Sequence, residues 1–149
     1  MQQKDDVYFM NLALEQAKEA ASIGEVPVGA VIVCNEKIIA RSFNMTERLN
    51  DATAHAEMQA FTAAMTAIGG KYLNQCTLYV TLEPCPMCCG AAFWTQIGRI
   101  VFGAKDERRI FGNVKELYHP KTVVKGGVME RECSQILKTF FKNKRNRNK

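Results

Sequence analysis

Apolar positions recur every three or four residues over 5–23, where Val7, Met10, Leu14, Ala17 and Ala21 share one side of a helix and Gly24 follows its end. The period then changes. Residues 28–34 and 37–42 are β-branched and apolar around Asn35-Glu36, the pattern of a hairpin. Residues 43–53 are polar and without period, a loop long enough to carry function. Helical spacing returns over 53–68, rich in alanine and stopped by Gly69-Gly70. Residues 77–81 predict a short strand. Pro84 breaks that run, and a helix opens at Cys85 or Met87 and continues to about residue 96. Residues 99–103 predict another strand, 107–117 a short helix, and Val123-Val124 with Val128-Met129 a last short strand. A C-terminal helix is predicted from residue 130 to about residue 143, with Cys133, Ile136, Leu137, Phe140 and Phe141 on one broad stripe.

Helices and strands that alternate in this order predict an α/β fold: a three-layer α/β/α domain around a mixed, about five-stranded sheet. At 149 residues the chain has room for one such domain, and it shows neither an internal repeat nor a linker. The expected division is a domain over 1–141, closing with its C-terminal helix, and a basic, mobile tail over 142–149. Net charge is +5, yet residues 138–149 hold six basic and no acidic side chains, so the rest of the chain is close to neutral. Basic termini of this kind contact nucleic acid or serve only as solvated ends.

No stretch is apolar enough to span a bilayer. The best, residues 26–34, is short and carries Pro27 and Gly29. The first residues, Met1-Gln2-Gln3-Lys4-Asp5-Asp6, are polar and acidic, unlike a signal peptide, so the cytoplasm is the expected compartment and no membrane partner is expected. In a reducing compartment the six cysteines are not a disulfide framework, and Cys85-x-x-Cys88 reads as a metal or redox pair. Cys34, Cys76 and Cys133 sit in apolar segments and are expected to pack as small hydrophobes.

The chemistry concentrates in His55-Ala56-Glu57 and Pro84-Cys85-Pro86-Met87-Cys88. Cys85 and Cys88 are three apart at a helix start, which puts both sulfurs on one side and favours their ionised forms. Two thiolates and a neutral imidazole balance the charge of Zn²⁺, and three protein ligands leave the open position that distinguishes a catalytic from a structural zinc site. Water in such a site has its pKa lowered to about 7. Glu57, two residues from His55, is better placed beside the metal than on it, where a carboxylate can take a proton from water and pass it to a leaving amine. A closed zinc knuckle would need a fourth ligand. His119 lies far along the chain, and Cys89 is turned away from the Cys85–Cys88 side by a helical step of about 100°. A redox pair would leave His55 and Glu57 unexplained.

The His-x-Glu and Pro-Cys-x-x-Cys blocks resemble the signature of the zinc nucleobase deaminases. The chain is thus similar to the cytidine-deaminase-like superfamily. Within it, the blocks Glu25-Val26-Pro27-Val28-Gly29-Ala30-Val31, Asn44, Thr53-Ala54-His55-Ala56-Glu57, residues 77–85, Met87-Cys88, residues 97–104, Asp106, His119-Pro120 and Phe140-Phe141 resemble the bacterial tRNA-specific adenosine deaminases. That resemblance implies one zinc per subunit on His55, Cys85 and Cys88, with Glu57 as the proton shuttle. It implies that Asn44 hydrogen-bonds a purine and that Glu25, Val26 and the Glu83-Pro84 backbone wall the base pocket. Asp106 would face the sugar–phosphate, and Phe140 and Phe141, with Lys142, Lys144 and Arg145 of the basic run, would meet RNA. The implied partners are a tRNA anticodon stem-loop, whose wobble adenosine becomes inosine with release of ammonia, and a second copy of the chain in a homodimer. The alternative is a deaminase of a free base or nucleoside such as guanine or cytosine. Cys-Pro-Met-Cys occurs in relatives of that kind, and Pro86 and Cys89 depart from the usual residues of the tRNA-acting group.

Overall fold

The computed structural model describes residues 3–108 and 111–147. Two strands of the hairpin, β1 (Gly29–Cys34) and β2 (Lys37–Phe43), are joined by Asn35 and Glu36, both in the left-handed region at φ 51° and 64°. Two left-handed residues in a two-residue loop match the twist of the strands they connect. β3 (Cys76–Leu82), β4 (Arg99–Ala104) and β5 (Val123–Lys125) complete a five-stranded sheet in the order β2-β1-β3-β4-β5. β1 is antiparallel to both β2 and β3, whereas β3, β4 and β5 run parallel, so the sheet is mixed. Parallel pairs need crossovers, and the helix α3 (Pro86–Thr95) supplies the one from β3 to β4.

Alternate residues of the central strands point to opposite faces. Ala30 and Ile32 with Leu78 and Val80 pack under α2 (Ala56–Ile68) and α3, in one core with Phe61, Cys89 and Ala92. Val31 and Val33 with Tyr79 and Val101 pack under α1 (Asp6–Ser22) and α4 (Glu130–Arg147), in a second core with Phe9, Met10 and Cys133. The result is the expected three-layer α/β/α arrangement. α1 approaches β1 so closely that a Cβ on Gly29 would collide with the Ala13 carbonyl and the Ala17 backbone nitrogen.

The elements agree with the sequence pattern except in four places. α2 starts at Ala56, not residue 53, because Asp51 Oδ1 accepts from both the N–H and the hydroxyl of Thr53 and holds a turn there. Within 107–117 the described residues form only one 3-10 turn, Lys115–Leu117. Val128 and Met129 are not strand: Met129 takes φ 56° and leads directly into α4. The C-terminal helix also runs past its expected end near residue 143. α4 runs unbroken to Arg147, so residues 142–147 are helix, and only 148–149 lie outside the described residues. Glu130 and Glu132 in its first turn and Lys144, Arg145 and Arg147 in its last complement the helix dipole, and no Gly or Pro interrupts it.

Candidate active site

Two helix starts converge at the C-terminal end of β3. His55 is the N-cap residue of α2 and Cys85 that of α3, both in extended backbone. N-cap side chains ordinarily accept hydrogen bonds from their own helix. Neither of these does, which leaves the imidazole and the thiol free to point at each other. Pro86 at the first helical position removes an N–H that would have had no partner. Cys88, one turn on, brings its sulfur to the same place: His55 Nδ1 lies 3.7 Å from Cys85 Sγ and 3.6 Å from Cys88 Sγ. Bond lengths to zinc of about 2.0–2.1 Å for nitrogen and about 2.3 Å for sulfur give a tetrahedral N···S edge of about 3.6 Å. The three ligand atoms, all within 4.8 Å of one another, therefore fit that ion, and they are the only such group among the described residues. Soft sulfur and nitrogen donors argue against Mg²⁺ or Ca²⁺.

The electrostatics are those of a site built to hold positive charge. Its hydrogen bond from the Cys88 thiol brings the Cys85 thiol down to about 4, and that same contact, with burial, holds the proton firmly on Cys88. The Cys85 sulfur beside it raises His55 above its usual 6.5. Glu57, in the first turn of α2 and only 4% exposed, has its carboxyl raised above 4.5 by burial. It lines the cavity next to His55 and Cys85. A carboxyl so placed can both accept and return a proton.

The cavity has a volume of about 770 Å³. Its floor is His55, Glu57 and Cys85, and its walls include Val26, Val28, Asn44 and Thr46. Outward it passes between Lys105 to Arg108 and one face of α4, where Ser134, Leu137, Lys138, Phe141 and Arg145 recur at helical spacing. The sequence-predicted residues divide accordingly. Asn44, Val26, Asp106, Phe141 and Arg145 line the cavity with His55, Cys85 and Glu57, and Cys88 is buried behind them. Phe140 is half-buried, edge-on to Phe141, and Lys142 and Lys144 are exposed away from the cavity. Pro84 lies on an adjoining smaller cleft with Phe111 and Glu130. Asp106 is paired with Arg108, whose Nε and Nη2 each donate at 3.0 Å and hold its carboxyl below the usual range.

Glu25 stands apart from the expected pocket wall. It is 1% exposed, does not line the cavity, and accepts from the backbone N–H groups of Glu47 and Arg48 at 3.1 and 2.7 Å. Two residues take contacts that sequence reasoning had not given them, and Lys138 was not singled out at all. The Glu83 carboxylate accepts from the Asp106 N–H at 3.0 Å and ties the loop after β4 to the metal motif. Lys138 faces the cavity, a placement its spacing of three from Phe141 and seven from Arg145 could have signalled. Cys89 is buried, with its thiol donating to the Pro84 carbonyl at 3.6 Å and lying beside the Tyr118 hydroxyl, which has no nitrogen or oxygen partner among the described residues. It is packing, not a fourth ligand.

Residues 3–104 match the cytidine and deoxycytidylate deaminase zinc-binding region. The chain is 43% identical to the tRNA-specific adenosine deaminase of Buchnera aphidicola subsp. Schizaphis graminum, over 97% of this chain and 99% of that one. It is 42% identical to the chloroplastic tRNA(adenine(34)) deaminase of Arabidopsis thaliana over 91% of its own length, which is 12% of that longer protein. A solved structure from work on A-to-I editing by tRNA:A34 deaminases at the wobble position superposes with a TM-score of 0.78 at 41% identity, covering 87% of this chain and 99% of the other.

Proposed function

The chain belongs to the cytidine and deoxycytidylate deaminase zinc-binding family, and we propose that it hydrolyses the wobble adenosine of a tRNA anticodon to inosine. One observation carries the choice of substrate. The cavity does not end at a base-sized floor. It runs out along α4 from Ser134 to Arg145, about 16 Å at the rise of a helix. A free base would leave that extension empty. An RNA loop would fill it, with Lys138 and Arg145 facing its phosphates. Single-stranded loops are the RNA form whose bases can be splayed into a pocket.

His55, Cys85 and Cys88 hold the zinc, which when bound supplies the Lewis acidity that lets water attack near neutral pH. Asn44, 7% exposed and facing the cavity, orients the purine edge with its amide. Glu57 moves the protons. It takes one from the attacking water as the C6–O bond forms and gives it to ring N1. It then takes the remaining proton of the new C6 hydroxyl and passes it to the exocyclic nitrogen, so that the C6–N bond breaks with ammonia as the leaving group and the C6 carbonyl forms. Water and adenosine are consumed and inosine and ammonia produced, with no change of oxidation state.

We read the chain as a homodimer as well. Trp94, 76% exposed, stands edge-on to Phe93, which packs on the His119 ring, and this aromatic surface on α3 lies away from the cavity. Among the described residues no helix is long and apolar enough to cross a membrane.

The function is tested by ammonia release from three substrates at equal concentration: an anticodon stem-loop with adenosine at the wobble position, free guanine, and free cytosine. Turnover of the stem-loop alone is expected. Turnover of guanine or cytosine with none of the stem-loop overturns the reading in favour of a free-base deaminase.

A further inference from the structure

The loop from Met45 to Thr53 links two cavity residues, Asn44 at its start and His55 just past its end. Ahead of the Asp51–Thr53 turn the chain makes another: the Leu49 N–H reaches the Met45 carbonyl at 3.0 Å, the Asn50 N–H the Glu47 carbonyl at 3.3 Å and the Asp51 N–H the Thr46 carbonyl at 3.0 Å. The first N–H groups of any such turn lack partners within it. Here those of Glu47 and Arg48 are taken by the two oxygens of Glu25, which comes from a different part of the chain, after α1. Among the described residues Glu25 has no ion-pair partner, so the polar contacts of its carboxyl group, buried to 1% exposure, are these loop amides. Burying a carboxylate is costly unless its bonds are made. Glutamine, of the same shape, could accept from only one of the amides and would set its own NH₂ against the other.

We propose that Glu25 is a positioning residue for the deamination. Without touching substrate, its carboxylate fixes the turn at 45–50 and thereby the placement of Asn44 and Thr46 against the bound base. The Met45 N–H joins the two ends of the loop at the Ala54 carbonyl, 3.0 Å away, and the Asn44 N–H is held by the Val28 carbonyl at 3.0 Å, so the part that depends on Glu25 is the turn between those ties; the metal side has further ties of its own. His55 leads into α2, whose Ala56 carbonyl accepts from Ser42 Oγ at 2.6 Å, and Gln59 Nε2 donates to the Phe43 and Ala54 carbonyls. Loss of the Glu25 contacts therefore loosens the base-orienting side of the cavity and leaves the metal side in place. A displacement of reacting groups by about 1 Å can cost about 10²-fold in rate.

The proposal rests on the deaminase reading above, and its test separates the two. Zinc-loaded wild type, Glu25→Gln and Glu25→Asp are compared in four measurements: bound zinc, hydrogen exchange of the 45–54 segment, kcat and KM on the stem-loop, and the coupling of Glu25→Gln to Asn44→Ala. Aspartate, one methylene shorter, reaches at most one of the two amides, and it carries the test if the glutamine variant does not fold. Expected are full zinc, faster exchange confined to 45–54, a kcat lower by about 10- to 100-fold with KM changed far less, and a double variant little worse than Asn44→Ala alone. Unchanged kcat, loss of zinc, or multiplicative losses in the double variant would overturn it. Should the wild type leave the stem-loop unchanged, the substrate reading fails, and exchange of the 45–54 segment still decides whether Glu25 clamps the loop.

Discussion

Glu57 and the three metal ligands make different demands on one small volume, and single substitutions separate them. Removing the Glu57 carboxylate takes away proton transfer and leaves His55, Cys85 and Cys88 intact. Glu57→Ala is expected to retain one zinc per chain by metal analysis while kcat falls by about 10²–10⁴-fold. Retained turnover would take the proton shuttle away from Glu57. The protons on the ligands predict a pH dependence of metal binding. In the metal-free pocket Cys88 holds its proton and His55 is raised above 6.5, so zinc must displace protons to bind. Apparent zinc affinity should therefore rise between about pH 6 and pH 9 in a chelator competition. An affinity flat across that range would mean that the ligands bind without losing protons.

At the scale of elements, Asp6 at the start of α1 ties that helix to the sheet. It accepts from Arg99 in a two-point pair at 2.7 Å, from the Tyr79 hydroxyl at 2.8 Å and from Lys125 at 3.2 Å. The Arg99 bond above all holds the Asp6 carboxyl well below the usual carboxylate range. A depressed folded-state pKa contributes stability above the unfolded value, near pH 4, and that contribution is lost as pH falls below it. Asp6→Asn should therefore cost about 1–2 kcal/mol at pH 7. The difference from wild type should shrink between about pH 4 and pH 2 in denaturant titrations, and a gap that widens on acidification would contradict the assignment. α4 supplies the second element-level prediction. Lys138→Ala with Arg145→Ala should lower the slope of RNA affinity against salt by about 1.4, two single-stranded phosphate contacts at about 0.7 each. Lys142→Ala with Lys144→Ala, on residues that do not line the cavity, should change it less.

For the whole molecule, the order of elements and the metal triad were legible in the sequence because both depend on local signals. Hydrophobic period, Gly69-Gly70 and Pro84 mark elements, and the spacing of Cys85 and Cys88 marks one helix turn. The long-range contacts were not legible. Nothing in Glu25-Val26-Pro27 says that its carboxylate reaches the amides of Glu47 and Arg48, since those N–H groups become unpartnered only once the loop turns. The last turns of α4 were missed for the opposite reason. Their residues, Lys142 to Arg147, have too little apolar content to show a period, yet nothing in them stops a helix that has already begun. The cavity combines both kinds of information: a floor set by local motif and an outer wall set by where α4 packs.

The decisive measurement locates inosine by mass spectrometry in an anticodon stem-loop that holds adenosines both at the wobble position and in its stem. Inosine is expected at the wobble position alone with zinc-loaded wild type, and none with Glu57→Ala under the same conditions. An unmodified wobble adenosine, or inosine made equally well by Glu57→Ala, would contradict the proposed function.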